Sequence, residues 1–161
     1  MNGILVAVLV AATITTGLSA GLLWGWAVSV MPALREAPDA LFAEFLQRAN
    51  VAIVNGWFLL CFIGALVLDV AATVLALIDG RAKVIVPVVL ALVLYAATIG
   101  ITRAVNIPLN NRMDAAGPPG HTADPAAIRA VFERPWVRWN IVRSLTGAGS
   151  LGALAWALAA V

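Results

Sequence analysis

The sequence predicts an all-α integral membrane protein: a four-helix bundle with two short amphipathic helices capping one end. Three observations carry that prediction. Of the 161 residues, 63% are hydrophobic and 11% charged, with a mean hydropathy of +0.99. Soluble domains carry about 25% charged residues. Four apolar runs, residues 4–30, 51–78, 84–104 and 140–161, each reach the roughly 20 residues needed to cross hydrocarbon. The in–out alternation of a membrane barrel is absent. Lipid cannot hydrogen-bond the backbone, so each run is expected to close as a helix. Residues 1–161 read as one transmembrane domain.

The first run, Ile4–Val30, has no basic residue before it. It is also longer than the roughly 7–15 apolar residues of a signal core, so it reads as a retained span. Gly17, Gly21 and Gly25 recur along it every four residues, and Gly149, Ala153 and Ala157 form a similar stripe on the fourth run. Small residues at this spacing let helices approach closely. They serve either packing of spans one and four or a homo-oligomer through Gly17, Gly21 and Gly25. A cap helix over 39–50 follows, with Asp39 as its N-cap and Leu41, Phe42, Phe45, Leu46 and Ala49 on one face. The second run holds the lone cysteine, Cys61, so no intramolecular disulfide can form. Asp79–Lys83 is a short turn into the third run. After it, Ala115–Ala123 contains Gly117-Pro118-Pro119-Gly120 and reads as a flexible loop. Asp124-Pro125 opens a second cap helix over 124–134, which Pro135 is expected to end. These amphipathic segments are either interfacial anchors or a lid.

Four spans put both termini and the short turn on one side. The long connections, residues 31–50 and 105–139, lie on the other. Arg35, Arg48, Arg103, Arg112, Arg129, Arg134, Arg138 and Arg143 lie in or beside them, against Arg81 and Lys83 in the turn. The positive-inside rule then places the long connections in the cytoplasm.

Two polar layers interrupt the apolar spans. Asp69 lies roughly 15 Å from the short turn, level with Tyr95, Thr13–Thr16 and Thr146–Ser150 on the other spans. An ionised carboxylate is costly in hydrocarbon. Asp69 is therefore expected to face inward and bond to Tyr95 or these hydroxyls, as bundle glue or as a proton acceptor. The other layer lies at the capped end. Arg103, Asn106 and Asn110 fall at i, i+3 and i+7, and Trp136, Asn140 and Arg143 at i, i+4 and i+7. Each set shares a helix face. Pro108 disturbs the helix nearby, and Trp139 flanks the second stripe. Two facing polar stripes with aromatic walls predict a small-molecule pocket. Trp24, Gln47, Asn50, Asn55 and Trp57 are the candidates to complete it. The competing reading is an aromatic belt with arginines reaching for headgroups.

Much chemistry is excluded. His121 is the single histidine, in the loop. Zinc, haem and copper centres want several His or Cys ligands, and di-iron bundles want Glu-x-x-His pairs. No metal site is expected. Phosphate loops and dinucleotide fingerprints are absent, and a net charge of +2 is too small to argue for nucleic acid. What remains is binding of a small apolar aromatic or lipid-like ligand, or chemistry run by hydrogen bonding without a cofactor.

Asn106-Ile-Pro-Leu-Asn110, followed by Trp136-Val-Arg-Trp-Asn140-Ile-Val-Arg143, resembles the small four-span membrane proteins grouped with the fungal anthrone oxygenases. The Gly17–Gly25 span, Pro32 and the Phe42–Gln47 helix are similar too, and the likeness covers almost the whole chain. The resemblance implies oxidation of an anthrone-type tricyclic phenol by molecular oxygen without a metal or flavin. Arg103, Arg143, Asn106, Asn110 and Asn140 would donate to the developing oxyanion, and Trp136 and Trp139 would stack on the rings. The alternatives are a non-catalytic protein binding a lipid or quinone-like molecule, and a structural membrane subunit.

Overall fold

The computed structural model describes residues 3–161. Its helices are α1 (Gly3–Gly25), α2 (Met31–Arg35), α3 (Asp39–Ile53), α4 (Gly56–Ile78), α5 (Ala82–Ile101), α6 (Ile107–Ala115) and α7 (Pro125–Ala159). Two five-residue π-helical turns, Trp26–Val30 and Thr102–Asn106, join α1 to α2 and α5 to α6 without a break. Four continuous rods result: 3–35, 56–78, 82–115 and 125–159, each long and apolar enough to span a membrane. This is a multi-pass membrane protein, and its four spans form an all-α bundle. Neighbouring spans pack in chain order, and α7 closes the ring against α1.

The lower core is small and aliphatic. Leu5, Leu9, Ala12, Ala72, Ala76, Val84, Val88, Ala91, Ala153, Leu154 and Ala157 fill it. Small residues are needed where backbones come close. A Cβ on Gly147 would lie 3.3 Å from Ala20 Cβ, and one on Gly149 would lie 3.2 Å from Leu94. Of the α1 glycines, Gly17 faces Leu151 of α7, whereas Gly21 and Gly25 have open space beside them. The tightest α1–α7 approach therefore runs through Gly147, not through the glycine stripe of α1.

The capped end departs from expectation in three places. First, the second span begins at Gly56, not at residue 51, because α3 runs on to Ile53 and Asn55 caps α4 by accepting from Phe58 N at 3.0 Å. Second, the cap segment at 124–134 is not separate. α7 runs straight through Pro135, so the segment is the outer end of the fourth span. Its start is as expected, since the Asp124 carboxylate accepts from Ala127 N at 3.0 Å with Pro125 behind it. Third, Asp39 does not cap α3. Pro38 holds that position, and Asp39 accepts from Arg129 Nη1 at 2.9 Å. Phe42, Ala43 and Leu46 of α3 pack with Met31, Leu34, Leu109, Met113, Phe132 and Trp136 in an aromatic-rich upper core.

Candidate functional site

The π turns build the site. Each precedes a proline: Pro32 after Trp26–Val30, and Pro108 after Thr102–Asn106. Proline has no N–H for the carbonyl four residues back, and its ring crowds that carbonyl. The chain answers by widening the turn before it. Met31 N–H reaches Trp26 O, and Ile107 N–H reaches Thr102 O, each five residues back. Such bulges recur at functional sites.

On the third rod the buried face runs Tyr95, Thr98, Thr102, Asn106, Leu109 and Met113. On α7 it runs Phe132, Trp136, Asn140, Arg143, Ser144, Gly147 and Ser150. These faces meet directly. Asn106 Nδ2 donates to Trp136 O at 3.4 Å, and Trp136 Nε1 donates to Asn110 Oδ1 at 2.8 Å. Arg143 donates from Nε and Nη2 to Asn140 Oδ1 at 3.1 and 2.9 Å, and from Nη1 to Thr102 Oγ1 at 3.2 Å. Asn140 Nδ2 in turn donates to Leu23 O at 3.1 Å, just below the first π turn. The guanidinium carbon of Arg143 stands 5.3 Å from the Trp136 ring centroid, a cation–π contact. Trp26 also packs on Trp136 in a tilted arrangement, with ring centroids 5.6 Å apart.

Two side chains in this network have open valences. Arg143 is only 7% exposed, yet among the described residues it has no carboxylate partner. Its fork carries five N–H donors, and three of its bonds are accounted for. Asn106 Oδ1 is buried and accepts nothing.

The other candidate residues fall in several places. Arg103 is exposed, one position off the buried face, because the π turn brings Asn106 into line with Thr102. Trp139 is half-buried. Gln47 is buried, and its Nε2 lies within hydrogen-bonding distance of Met113 O (3.0 Å), Gly117 O (2.8 Å) and Thr122 Oγ1 (3.3 Å). That latches the 115–123 loop onto α3. Asn50 donates to Asp114 Oδ1 at 3.0 Å. Asn55 is spent on the α4 cap, and Trp24 and Trp57 are 48% and 80% exposed, as belt residues are. At the lower layer Asp69 is fully buried as expected, but it does not bond to Tyr95. Tyr95 donates instead to Phe62 O at 3.0 Å. Among the described residues, both Asp69 oxygens and Thr16 Oγ1 lack hydrogen-bond partners. Thr98, Thr146 and Ser150 satisfy one another or nearby carbonyls.

Sequence reasoning missed Thr102 and Trp26 as members of the cluster. The i, i+4 spacing of Thr102 and Asn106 was the available signal for the first. Nothing in the sequence separated Trp26 from the belt tryptophans.

The family model described as anthrone oxygenase matches residues 57–153, more than half of the chain. The chain belongs to the anthrone oxygenase family. The matched region of this family member takes in α4, α5, the second π turn, α6 and most of α7. It therefore includes Asn106, Trp136, Asn140 and Arg143. No curated protein and no solved structure matches the chain.

Proposed function

We propose that this anthrone oxygenase family member is an oxygenase-like membrane enzyme that acts on an apolar phenolic substrate of the anthrone type. The observation that carries the reading is Arg143. A guanidinium taken out of water without a counter-charge costs several kcal/mol. That cost is worth bearing where negative charge develops during a reaction. An anthrone has a CH₂ beside a ketone, and loss of one proton delocalises the charge onto the ketone oxygen. The resulting electron-rich anion reduces oxygen itself. Overall, one ring CH₂ and one O₂ become one C=O and one H₂O, with the electrons supplied by the substrate.

In this reading the spare N–H groups of Arg143 hold the oxyanion. Asn106 Oδ1 accepts from a substrate phenol, and Trp136 and Trp26 offer ring faces. Asn140 and Thr102 hold the Arg143 fork in place, and Asn110 holds the Trp136 indole. Because the two polar faces touch, substrate enters only when the cap lifts, with the Gln47 latch opening. The concentration of arginines on the long connections supports a cytoplasmic cap.

Oxygen uptake with an anthrone tests the proposal. Arg143→Gln should lower turnover by about 10²-fold or more, the scale of removing one oxyanion donor, and Asn106→Ala should lower it less. Undiminished turnover in folded Arg143→Gln would overturn the assignment. One observation favours a second reading, a non-catalytic binder of a lipid or quinone-like molecule: the polar network is filled by its own side chains. Such a protein would copurify with its ligand and consume no oxygen.

A further inference from the structure

α7 carries a second surface that the buried network does not use. At the capped end a groove of about 790 Å³ runs between the outer part of α7 and the α2–α3 junction. Arg35, Asp39, Arg129, Glu133, Arg134 and Arg138 line its upper part. Val137, Ile141 and Val142 line its lower part.

The charges in this groove are not evenly committed. Arg129 is paired with both acids, with Nη1 2.9 Å from Asp39 Oδ1 and Nε 2.8 Å from Glu133 Oε2. Arg35 stands 4.0 Å from Glu133 with its side chain 65% exposed. Among the described residues, Arg134 and Arg138 make no hydrogen bond or ion pair, and both are exposed. Four arginines against two acids leave the groove with a net positive charge, carried by Arg134 and Arg138, with the exposed Arg35 facing them. Arg134 and Arg138 are one turn apart, about 6 Å along the helix, a separation that lets two guanidinium forks grip one phosphate. Directly below, Ile141 is 40% and Leu145 57% exposed on the lipid-facing side of the span. The groove is therefore cationic where headgroups lie and apolar where acyl chains lie.

We propose that this groove is a binding site for one anionic phospholipid. The lipid phosphate lies between Arg134, Arg138 and Arg35, and an acyl chain runs down Val137, Ile141 and Leu145. The Arg129–Asp39–Glu133 cluster forms the fixed wall that holds Arg35 opposite α7. Basic pockets between spans recognise anionic headgroups in this way, with each cation near the surface strengthening the attraction. The site is separate from Arg143 and does not depend on catalysis.

The test is native mass spectrometry of the full chain released from nanodiscs of mixed phosphatidylglycerol and phosphatidylcholine with identical acyl chains. The expected result is one retained phosphatidylglycerol per chain, in preference to phosphatidylcholine. The double variant Arg134→Gln/Arg138→Gln should lose that retention by about tenfold to thirtyfold. It removes no internal contact, so it should fold. The charge-matched control Arg48→Gln/Arg112→Gln, outside the groove, should keep retention intact. Equal retention of the two lipids would overturn the proposal. So would unchanged retention in the groove variant, or an equal loss in the control, which would mean diffuse surface attraction.

Discussion

Asp69 and Arg143 bring an acidic and a basic side chain into the same bundle, and the bundle treats them differently. Arg143 is held by Asn140 and Thr102 and stacked near Trp136. Asp69 is fully buried, and neither of its oxygens meets a donor. A buried polar group without partners costs stability, and filling its place with an apolar side chain of similar volume recovers that cost. Asp69→Leu should therefore raise the thermal midpoint in detergent, a gain of about 1–3 kcal/mol. A lower midpoint would mean that the carboxyl has a bound partner, such as water. That Asp69 would be interior was legible, since a carboxyl cannot face lipid cheaply. That it would fail to bond to Tyr95 was not. Reading depth by counting residues locates a level in the bundle, not a direction, and the Tyr95 hydroxyl is taken by the Phe62 carbonyl. The same limit applies to Arg103. Its i, i+3 relation to Asn106 assumes a regular helix, and one π turn breaks that relation.

At the scale of elements, prolines and glycines decide where the spans bend and touch. Pro32 and Pro108 each sit just beyond a π turn, whereas Pro135 is absorbed within α7. From sequence the three look alike, because each removes one N–H. The outcome depends on what the widened or kinked turn can bond with. Here Asn140 reaches the Leu23 carbonyl below one π turn, and Arg143 reaches Thr102 within the other. Close packing of α1 on α7 hinges on Gly147 against Ala20. Gly147→Val should destabilise the bundle by about 1–3 kcal/mol through overpacking. Gly21→Ala should leave the thermal midpoint nearly unchanged, since nothing lies within 4 Å of its added methyl. Equal effects in the two variants would contradict this contact.

Across the whole molecule, one arginine ties the cap to the spans. Arg129 of α7 lies 13% exposed in its side chain, between Asp39 and Glu133. It also donates to the carbonyls of Leu34, Arg35 and Ala37 and lies over the Phe42 ring at 4.5 Å. α2, α3 and α7 converge on this one guanidinium. Arg129→Gln should cost about 3 kcal/mol, the scale of breaking a largely buried charge cluster. It should also speed limited proteolysis near the α2–α3 junction while leaving the spans protected. Unchanged cleavage would remove Arg129 as the tether. By itself the sequence determined the all-α class, the four spans, the capped end and the neighbourhood of the polar cluster. Hydrophobicity and length act locally, and the cost of exposing backbone to lipid leaves little choice of structure. Only the tertiary structure decided which polar side chains share a site. Asn106 joins Thr102 instead of Arg103, Gln47 latches a loop, Asn55 caps a helix, and Arg143 meets no counter-charge among the described residues. Those outcomes depend on turn-scale register and on partners far apart in the chain, which no periodicity within one helix encodes.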